Sequence, residues 1–383
     1  MILTKQTAIE IIPKSKNAIC QLVMNSDQYV LSAIALIVSI KQQVAENRPD
    51  FIVFTHNITE QASQQLALVA DHVIPIELIC YKVNNNMWPR FQHNYAWLES
   101  CFSKFYAFKL VQYAKVLFLD SDMLCLADMS KIFQLQTPAG CLVSKSKSGF
   151  HSSVRLPEFE ILSALMSGYG VSGACWMISP KLGDFELLLQ RVEQRVQETG
   201  FYSESITSFK PKLNLNQIMR DGDFRHPQDI EYHFKRGFNA GPDEQLLTWF
   251  YFNEWVNISR QFCCVPWLKH RFERGEFPLQ YVKGSNYQQS LTISDQIDLN
   301  GDQKNTCRTV YLIHYVAEKP WQGIGSGKPL WPDCKLFFDM LGMWAEGKEY
   351  VVQVFGEIDK FEYMAQKDAD ATWDNDFRRK FDK

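Results

Sequence analysis

The chain predicts an α/β fold with a mostly parallel central sheet flanked by helices, on three observations. Short β-rich runs alternate with longer helical patterns through the first half, as strands joined by crossover helices should. Val116 to Leu119 is a continuous apolar run, which reads as a central strand buried on both faces. That run ends on Asp120, at the carboxyl end of the strand, where open α/β sheets bind ligands.

In order, Ala18 to Met24 reads as a first strand and Tyr29 to Gln43 as a helix. Phe51 to Thr55 reads as a second strand, Gln61 to Ala70 as a second helix and His72 to Ile76 as a third strand. Glu99 to Tyr113 carries Phe102, Phe105, Tyr106 and Leu110 at helical spacing and precedes the central strand. Beyond it come a strand at Gly140 to Ser144, a helix around Pro157 to Met166, a strand at Val171 to Ile178 and an amphipathic helix at Asp184 to Glu198. The periodicity then fades: Glu204 to Phe238 is polar throughout and reads as an excursion from the core, bounded at about 199–240. Asp243 to Tyr251 resumes as a helix, Gln261 to Pro266 as a short strand and Arg308 to Val316 as another. Residues 335–383 form a helical, heavily charged tail after a main domain spanning 1–334.

Composition narrows the function classes. With 383 residues, 46% of them hydrophobic, the chain can bury a large core without staples. A net charge of −3 gives no global footprint for nucleic acid or an anionic membrane. The first residues lack the apolar core of a signal peptide, and the longest apolar stretch, Val30 to Ile40, is far short of the ~20 residues a membrane helix needs. Ten cysteines occur without a CxxC pair, and Cys263-Cys264 has no matching Cys/His pair at zinc spacing, so both read as core thiols. A reducing, cytoplasmic setting is the expectation.

Asp120 and Asp122 flank one small residue directly after the buried strand, a spacing that lets two carboxylates converge on one hard cation, Mn²⁺ or Mg²⁺. Such a cation can bridge to a diphosphate and stabilise it as a leaving group. The bland alternative is an acidic turn. A rival chemistry, with Asp120 as an aspartyl-phosphate nucleophile, fits less well: Leu124 stands where those enzymes carry Thr or Val, and more than a hundred residues precede the motif. A second signal lies far downstream, in Tyr311-Leu-Ile-His314-Tyr-Val-Ala-Glu-Lys319-Pro320-Trp321. An imidazole there can complete a metal shell and an ammonium can neutralise phosphate. A half-buried strand ending in a Pro turn is the alternative.

Taken together, KVLFLDSDMLCLADMSKIF and HYVAEKPW resemble the strand, DxD and HxxGxxKPW motifs of the family-8, glycogenin-like retaining glycosyltransferases. The resemblance is ordered along roughly residues 18 to 325, in islands. It implies a GT-A-type nucleotide-sugar-binding fold and transfer of a hexose from a UDP-sugar, UDP-glucose or UDP-galactose first. It implies Mn²⁺ held by Asp120, Asp122 and His314, and a diphosphate held by Lys319. The donor would further meet Met24, Asn25, Tyr29, Lys104, Ser121, Ser172 and Gly173, with Asp243 and Glu244 as the catalytic pair. The acceptor, a glycan, protein or small polyol, is not specified. A nucleotide-sugar-binding module without turnover would share every motif.

The sequence also departs from the family pattern. Val171 replaces the Asn expected before Ser172-Gly173, and Glu244 replaces the Gln expected after Asp243. Glu244 is a true carboxylate, able to act as a nucleophile or to favour a helix N-terminus. The HxxGxxKPW segment is one residue short, with Ala317 where Gly is usual. The long excursion, with Tyr202, Arg220, Asp223, Arg225, His226 and Tyr232, is the expected seat of acceptor recognition, and Trp88, Arg90 and His93 are further candidates for the cleft.

Overall fold

The computed structural model describes residues 8–44, 46–81, 95–143, 155–166, 168–199, 241–274, 309–316, 319–322, 330–342 and 344–356. The excursion at 200–240, the segment holding Trp88, Arg90 and His93, Ala317, and the tail beyond 356 lie outside the described residues.

The expected α/β alternation is present. Strand β1 (Asn17–Met24) leads into α1 (Asp27–Gln43), β2 (Asp50–His56) into α2 (Glu60–Val69), and β3 (His72–Pro75) follows. A short helix α3 (Tyr95–Ser100) precedes β4 (Lys115–Leu119), and β5 (Met123–Cys125) and β6 (Ala139–Leu142) come next. Then follow α4 (Glu158–Met166), β7 (Val171–Ile178), α5 (Asp184–Thr199), α6 (Pro242–Phe250), β8 (Val256–Asn257) and α7 (Pro266–Glu273). The chain closes with β9 (Leu312–His314), α8 (Cys334–Gly342) and α9 (Lys348–Phe355).

Seven strands form one sheet in the order β3-β2-β1-β4-β7-β6-β8. The pairs β1/β2, β1/β4, β2/β3 and β6/β8 are parallel, while β7 runs antiparallel to both β4 and β6. Burial on both faces explains the unbroken apolar runs. On β4, Leu117 and Leu119 enter the core under α1, while Val116 and Phe118 enter the opposite core with Trp176 and Trp255. Helices α8 and α9 belong to the first of these cores: Phe337, Phe338 and Phe355 pack there with Trp321.

Two expected elements take a different form. Glu99 to Tyr113 is not one α-helix: α3 ends at Ser100 and Cys101–Lys109 is a 3₁₀ helix. Phe102, Phe105 and Phe108 recur every third residue, which stacks them on one face of a three-residue turn, and they meet edge-on at 5.9 and 6.2 Å in the second core. Gln261 to Pro266 is not a strand either. Ser259 caps a 3₁₀ turn at Arg260–Phe262, a single bridge joins Cys264 to Ile313, and Pro266 opens α7, where a missing N–H costs nothing.

Candidate active site at the end of β4

The site grows from the turn that follows β4. Asp120 N–H donates to Ala174 O at 3.0 Å, which continues the β4/β7 ladder one residue past the strand. Ser32 Oγ, from α1, donates to Ser121 O at 2.7 Å and pins the turn from below. The chain then folds into β5, which pairs antiparallel with β9 so that Met123 faces His314. Tyr315 N–H donates to Asp122 O at 3.0 Å. These bonds bring a histidine nearly two hundred residues away beside the acidic pair.

His314 Nε2 lies 3.4 Å from Asp122 Oδ1 and 3.9 Å from Asp120 Oδ2. One ligand atom from each of Asp120, Asp122 and His314 falls within 4.8 Å of the others. Asp122 Oδ1 is buried and has no hydrogen-bond partner by geometry, and the charge facing it is the His314 imidazole at 3.4 Å. Two carboxylates and an imidazole at this spacing could hold a divalent cation such as Mn²⁺ or Mg²⁺, so the residues present fit one.

Two lysines neutralise the cluster in the chain itself. Lys104 is 5% exposed, and its Nζ reaches Asp120 Oδ1 at 2.8 Å, Gly173 O at 3.2 Å and Asp243 Oδ2 at 3.7 Å. Lys319 pairs with Asp122 Oδ2 and donates to Tyr315 O at 2.6 Å. Burial works against the ammonium of Lys104, but Asp120 and Asp243 outweigh it and hold its pKa above the usual lysine value. Burial raises Asp120, whereas at Asp122 the neighbouring Lys319 and His314 overturn burial and keep the carboxyl well below its usual range. Burial disfavours the imidazolium of His314, yet Asp122 raises its pKa to about 10.

On the far side of Lys104 stands the start of α6. Gly241 takes the N-cap, Pro242 the first turn, and Glu244 reaches back to the cap. Glu244 Oε2 accepts from Gly241 N–H and Oε1 from Gly173 N–H, both at 2.6 Å. Both oxygens are thus engaged by backbone, and the side chain ties β7 to α6. Burial, with Asp243 beside it, raises Glu244 to about 7. Asp243 is 2% exposed and its Oδ1 has no hydrogen-bond partner. Of the expected catalytic pair, Asp243 therefore holds the oxygen that is not engaged.

The remaining expected residues divide into neighbours and near neighbours. Ser172 and Gly173 flank the cluster on β7; Ser172 Oγ accepts from Ala174 N–H at 3.2 Å. Tyr29 packs edge-on against Trp321 at 5.2 Å and feels the charges of Lys319, Asp122 and Asp120. Met24 and Asn25 end β1, next to β4; Asn25 has φ 60°, a left-handed backbone that asparagine tolerates, and its Oδ1 accepts from Asn57 Nδ2 at 3.0 Å. Val171, the departure from the family motif, is fully buried in the second core.

Two neighbours were not anticipated. The Trp97 ring lies 5.6 Å from Lys104 Nζ, and Cys263 Sγ lies 3.6 Å from His314 Nδ1. Trp97 lies just before the helical pattern that begins at Glu99, and no motif marks it. Cys263, read as a core thiol, is partly exposed and sits behind a candidate metal ligand.

Known proteins resemble this chain in sequence and in fold. Residues 21–159 match the family "Glycosyl transferase family 8", a segment that begins at Gln21 within β1 and includes Lys104, Asp120 and Asp122. An uncharacterized protein of Acanthamoeba polyphaga mimivirus is 23% identical over 330 residues, covering 85% of this chain and 89% of that protein. Glycogenin of Neurospora crassa is 24% identical over 189 residues, 49% of this chain and 24% of glycogenin, so the match spans about a quarter of that protein's length. Among solved structures, the galactosyltransferase LgtC with donor and acceptor sugar analogues shows 13% identity and a TM-score of 0.44, covering 85% of this chain and 95% of its own. The glycosyltransferase GlyE of Streptococcus pneumoniae shows 12% identity and a TM-score of 0.44, covering 92% and 67%. The family match, with the mostly parallel sheet and an acidic motif at the end of β4, agrees with the GT-A-type fold expected from the sequence.

Proposed function

We propose, taking the family-8 glycosyl transferase match of residues 21–159 as the premise, that this chain transfers a hexose from a UDP-sugar to an acceptor, with retention of configuration. The observation that carries the reading is the convergence of Asp120, Asp122 and His314 within 4.8 Å, beside Lys104 and Lys319, at the carboxyl end of β4. UDP-glucose and UDP-galactose are the favoured donors, and Mn²⁺ the favoured cation with Mg²⁺ as the alternative. A glycan, protein or small polyol is the acceptor class.

Asp120, Asp122 and His314 would hold the cation, which when bound supplies positive charge at the diphosphate and so improves UDP as a leaving group. Lys319 pairs with Asp122 in the chain, and its ammonium is the charge suited to the diphosphate. Lys104 holds Asp120 and Asp243 in fixed relation, joining the cation side of the site to the sugar side. Asp243 offers its unengaged oxygen to the sugar or to charge developing at the anomeric carbon. Glu244, with both oxygens held by backbone N–H groups, acts in this reading as the brace that sets Gly173 and Asp243. Met24, Asn25 and Tyr29 line the nucleotide side, and Ser121, Ser172 and Gly173 the donor between them.

None of the nine described cysteines forms a disulfide, which supports a reducing, cytoplasmic setting within this proposal. No helix among the described residues is long and apolar enough to cross a membrane.

The test is release of UDP from a panel of UDP-sugars with Mn²⁺, with and without EDTA, comparing the protein with Asp122→Asn. Metal-dependent release from one sugar, lost in the variant, is expected, and the anomer of the product by proton NMR reads the stereochemistry. Tight metal-dependent UDP binding without release from any sugar, across an acceptor panel, would favour a binding module. Absence of UDP binding would sink the reading.

A further inference from the structure

The imidazole of His314 lies between two kinds of partner. Nε2 faces the carboxylates of Asp122 and Asp120 at 3.4 and 3.9 Å, and Nδ1 faces Cys263 Sγ at 3.6 Å. The same sulfur lies 3.8 Å from Ser172 Oγ on β7. Backbone bonds hold this arrangement in place: Cys264 N–H donates to Leu312 O at 3.0 Å, and His314 N–H donates to Cys264 O at 2.8 Å. The loop carrying Cys263 is thereby joined to β9 beside the ring.

A histidine that ligates a cation through Nε2 must carry its ring proton on Nδ1, and a buried Nδ1–H needs an acceptor. His314 is 8% exposed, and Cys263 supplies the sulfur in reach of that atom. A thiol is a weak acceptor and a weak donor, so it can serve the imidazole in either protonation state. We infer that Cys263 is a positioning residue: its Sγ accepts from His314 Nδ1–H, fixing the tautomer and ring orientation that direct Nε2 at the Asp120–Asp122 pair. This rests on the metal-site reading of the proposed function and adds to it a residue outside the family motifs that the sequence shows.

Two substitutions separate the hydrogen bond from the packing. Cys263→Ser keeps an acceptor and loses volume; Cys263→Val keeps an apolar body of similar size and loses the acceptor. The readout is the affinity of the full chain for Mn²⁺ alone, from the electron paramagnetic resonance signal of free Mn²⁺, with circular dichroism confirming the fold. Loss of such an outer partner typically costs about 10- to 100-fold in metal affinity, so Cys263→Val should weaken Mn²⁺ binding about tenfold or more and Cys263→Ser by less than about threefold. Val binding as tightly as the unsubstituted chain, or Ser and Val weakening equally, would overturn the inference. Asp122→Asn tells the two readings apart. If it abolishes Mn²⁺ binding while Cys263→Val leaves it intact, the metal site stands and the role of Cys263 falls. If the unsubstituted chain binds no Mn²⁺, both fall.

Discussion

Gly173 is the position where a single methyl group reads out the whole site. A Cβ built there would lie 2.8 Å from Asp243 Oδ2, 3.0 Å from Glu244 Cγ and 3.3 Å from Lys104 Nζ. Ordinary contact begins at 3.4 Å, so Gly173→Ala requires Asp243 Oδ2 to retreat by about 0.6 Å, the difference between 3.4 and 2.8. Glu244 cannot simply follow, because Gly173 N–H and Gly241 N–H hold its two oxygens at 2.6 Å. Lys104 is held in turn by Asp120 at 2.8 Å. Overpacking of this kind costs roughly 1–3 kcal/mol. Misplacing a reacting group by about 1 Å costs up to ~100-fold in rate, so Gly173→Ala should lower kcat/KM for UDP release about 10- to 100-fold, or ~1.4–2.7 kcal/mol. Gly140→Ala is the control: its Cβ would lie 2.2 Å from Val171 Cγ1 and 3.0 Å from Trp255, inside the second core. That variant should lose thermal stability while its folded fraction keeps kcat/KM. Wild-type kcat/KM in Gly173→Ala, at unchanged melting temperature, would refute the geometry argued for Asp243 and Glu244.

The brace by Glu244 has a pH signature. Its pKa is raised to about 7 by burial and Asp243, and accepting two N–H bonds needs the ionised form, so activity should rise with pH through about 7 and Glu244→Gln should remove that limb. For stability the sign is opposite: a raised folded pKa favours the fold below the ordinary value near 4.5, and that contribution is lost as pH rises through about 7, a slope that melting curves of Glu244→Gln should flatten. Lys319→Ala removes the cation paired with Asp122, so Mn²⁺ alone should bind more tightly while UDP binding in its presence weakens roughly tenfold or more; calorimetry showing both affinities unchanged would count against the assigned role. Tyr350 Oη donates to Asp27 Oδ2 at 2.8 Å and links α9 to the start of α1, so Tyr350→Phe should cost about 1 kcal/mol in stability, seen by denaturant unfolding, and leave kcat unchanged.

Much of the fold follows from local pattern. The strands β1, β2, β4 and β7 are short, largely apolar runs with both faces buried, and their brevity separates them from the longer buried run of α1. The acidic pair was visible because two carboxylates at the end of a buried strand have no packing reason to be there. The 3₁₀ helix at Cys101–Lys109 escaped this kind of reading, since a three-residue and a 3.6-residue period place the same aromatics within one turn of each other.

What sequence alone determined, then, was the order of the elements and the identity of the charged residues; what the tertiary structure decided was their company. Antiparallel pairing of β5 with β9 places His314 against Asp122, and nothing within either strand specifies that partner. The engagement of both Glu244 oxygens depends on β7 lying beside the start of α6, a contact that the residue type alone does not specify. Cys263 looked like any core thiol until the loop before α7 laid it against the back of an imidazole. Residue type and spacing are properties of the chain, but the energy of a charge or a hydrogen bond depends on distance and burial, and those exist only once the chain has folded.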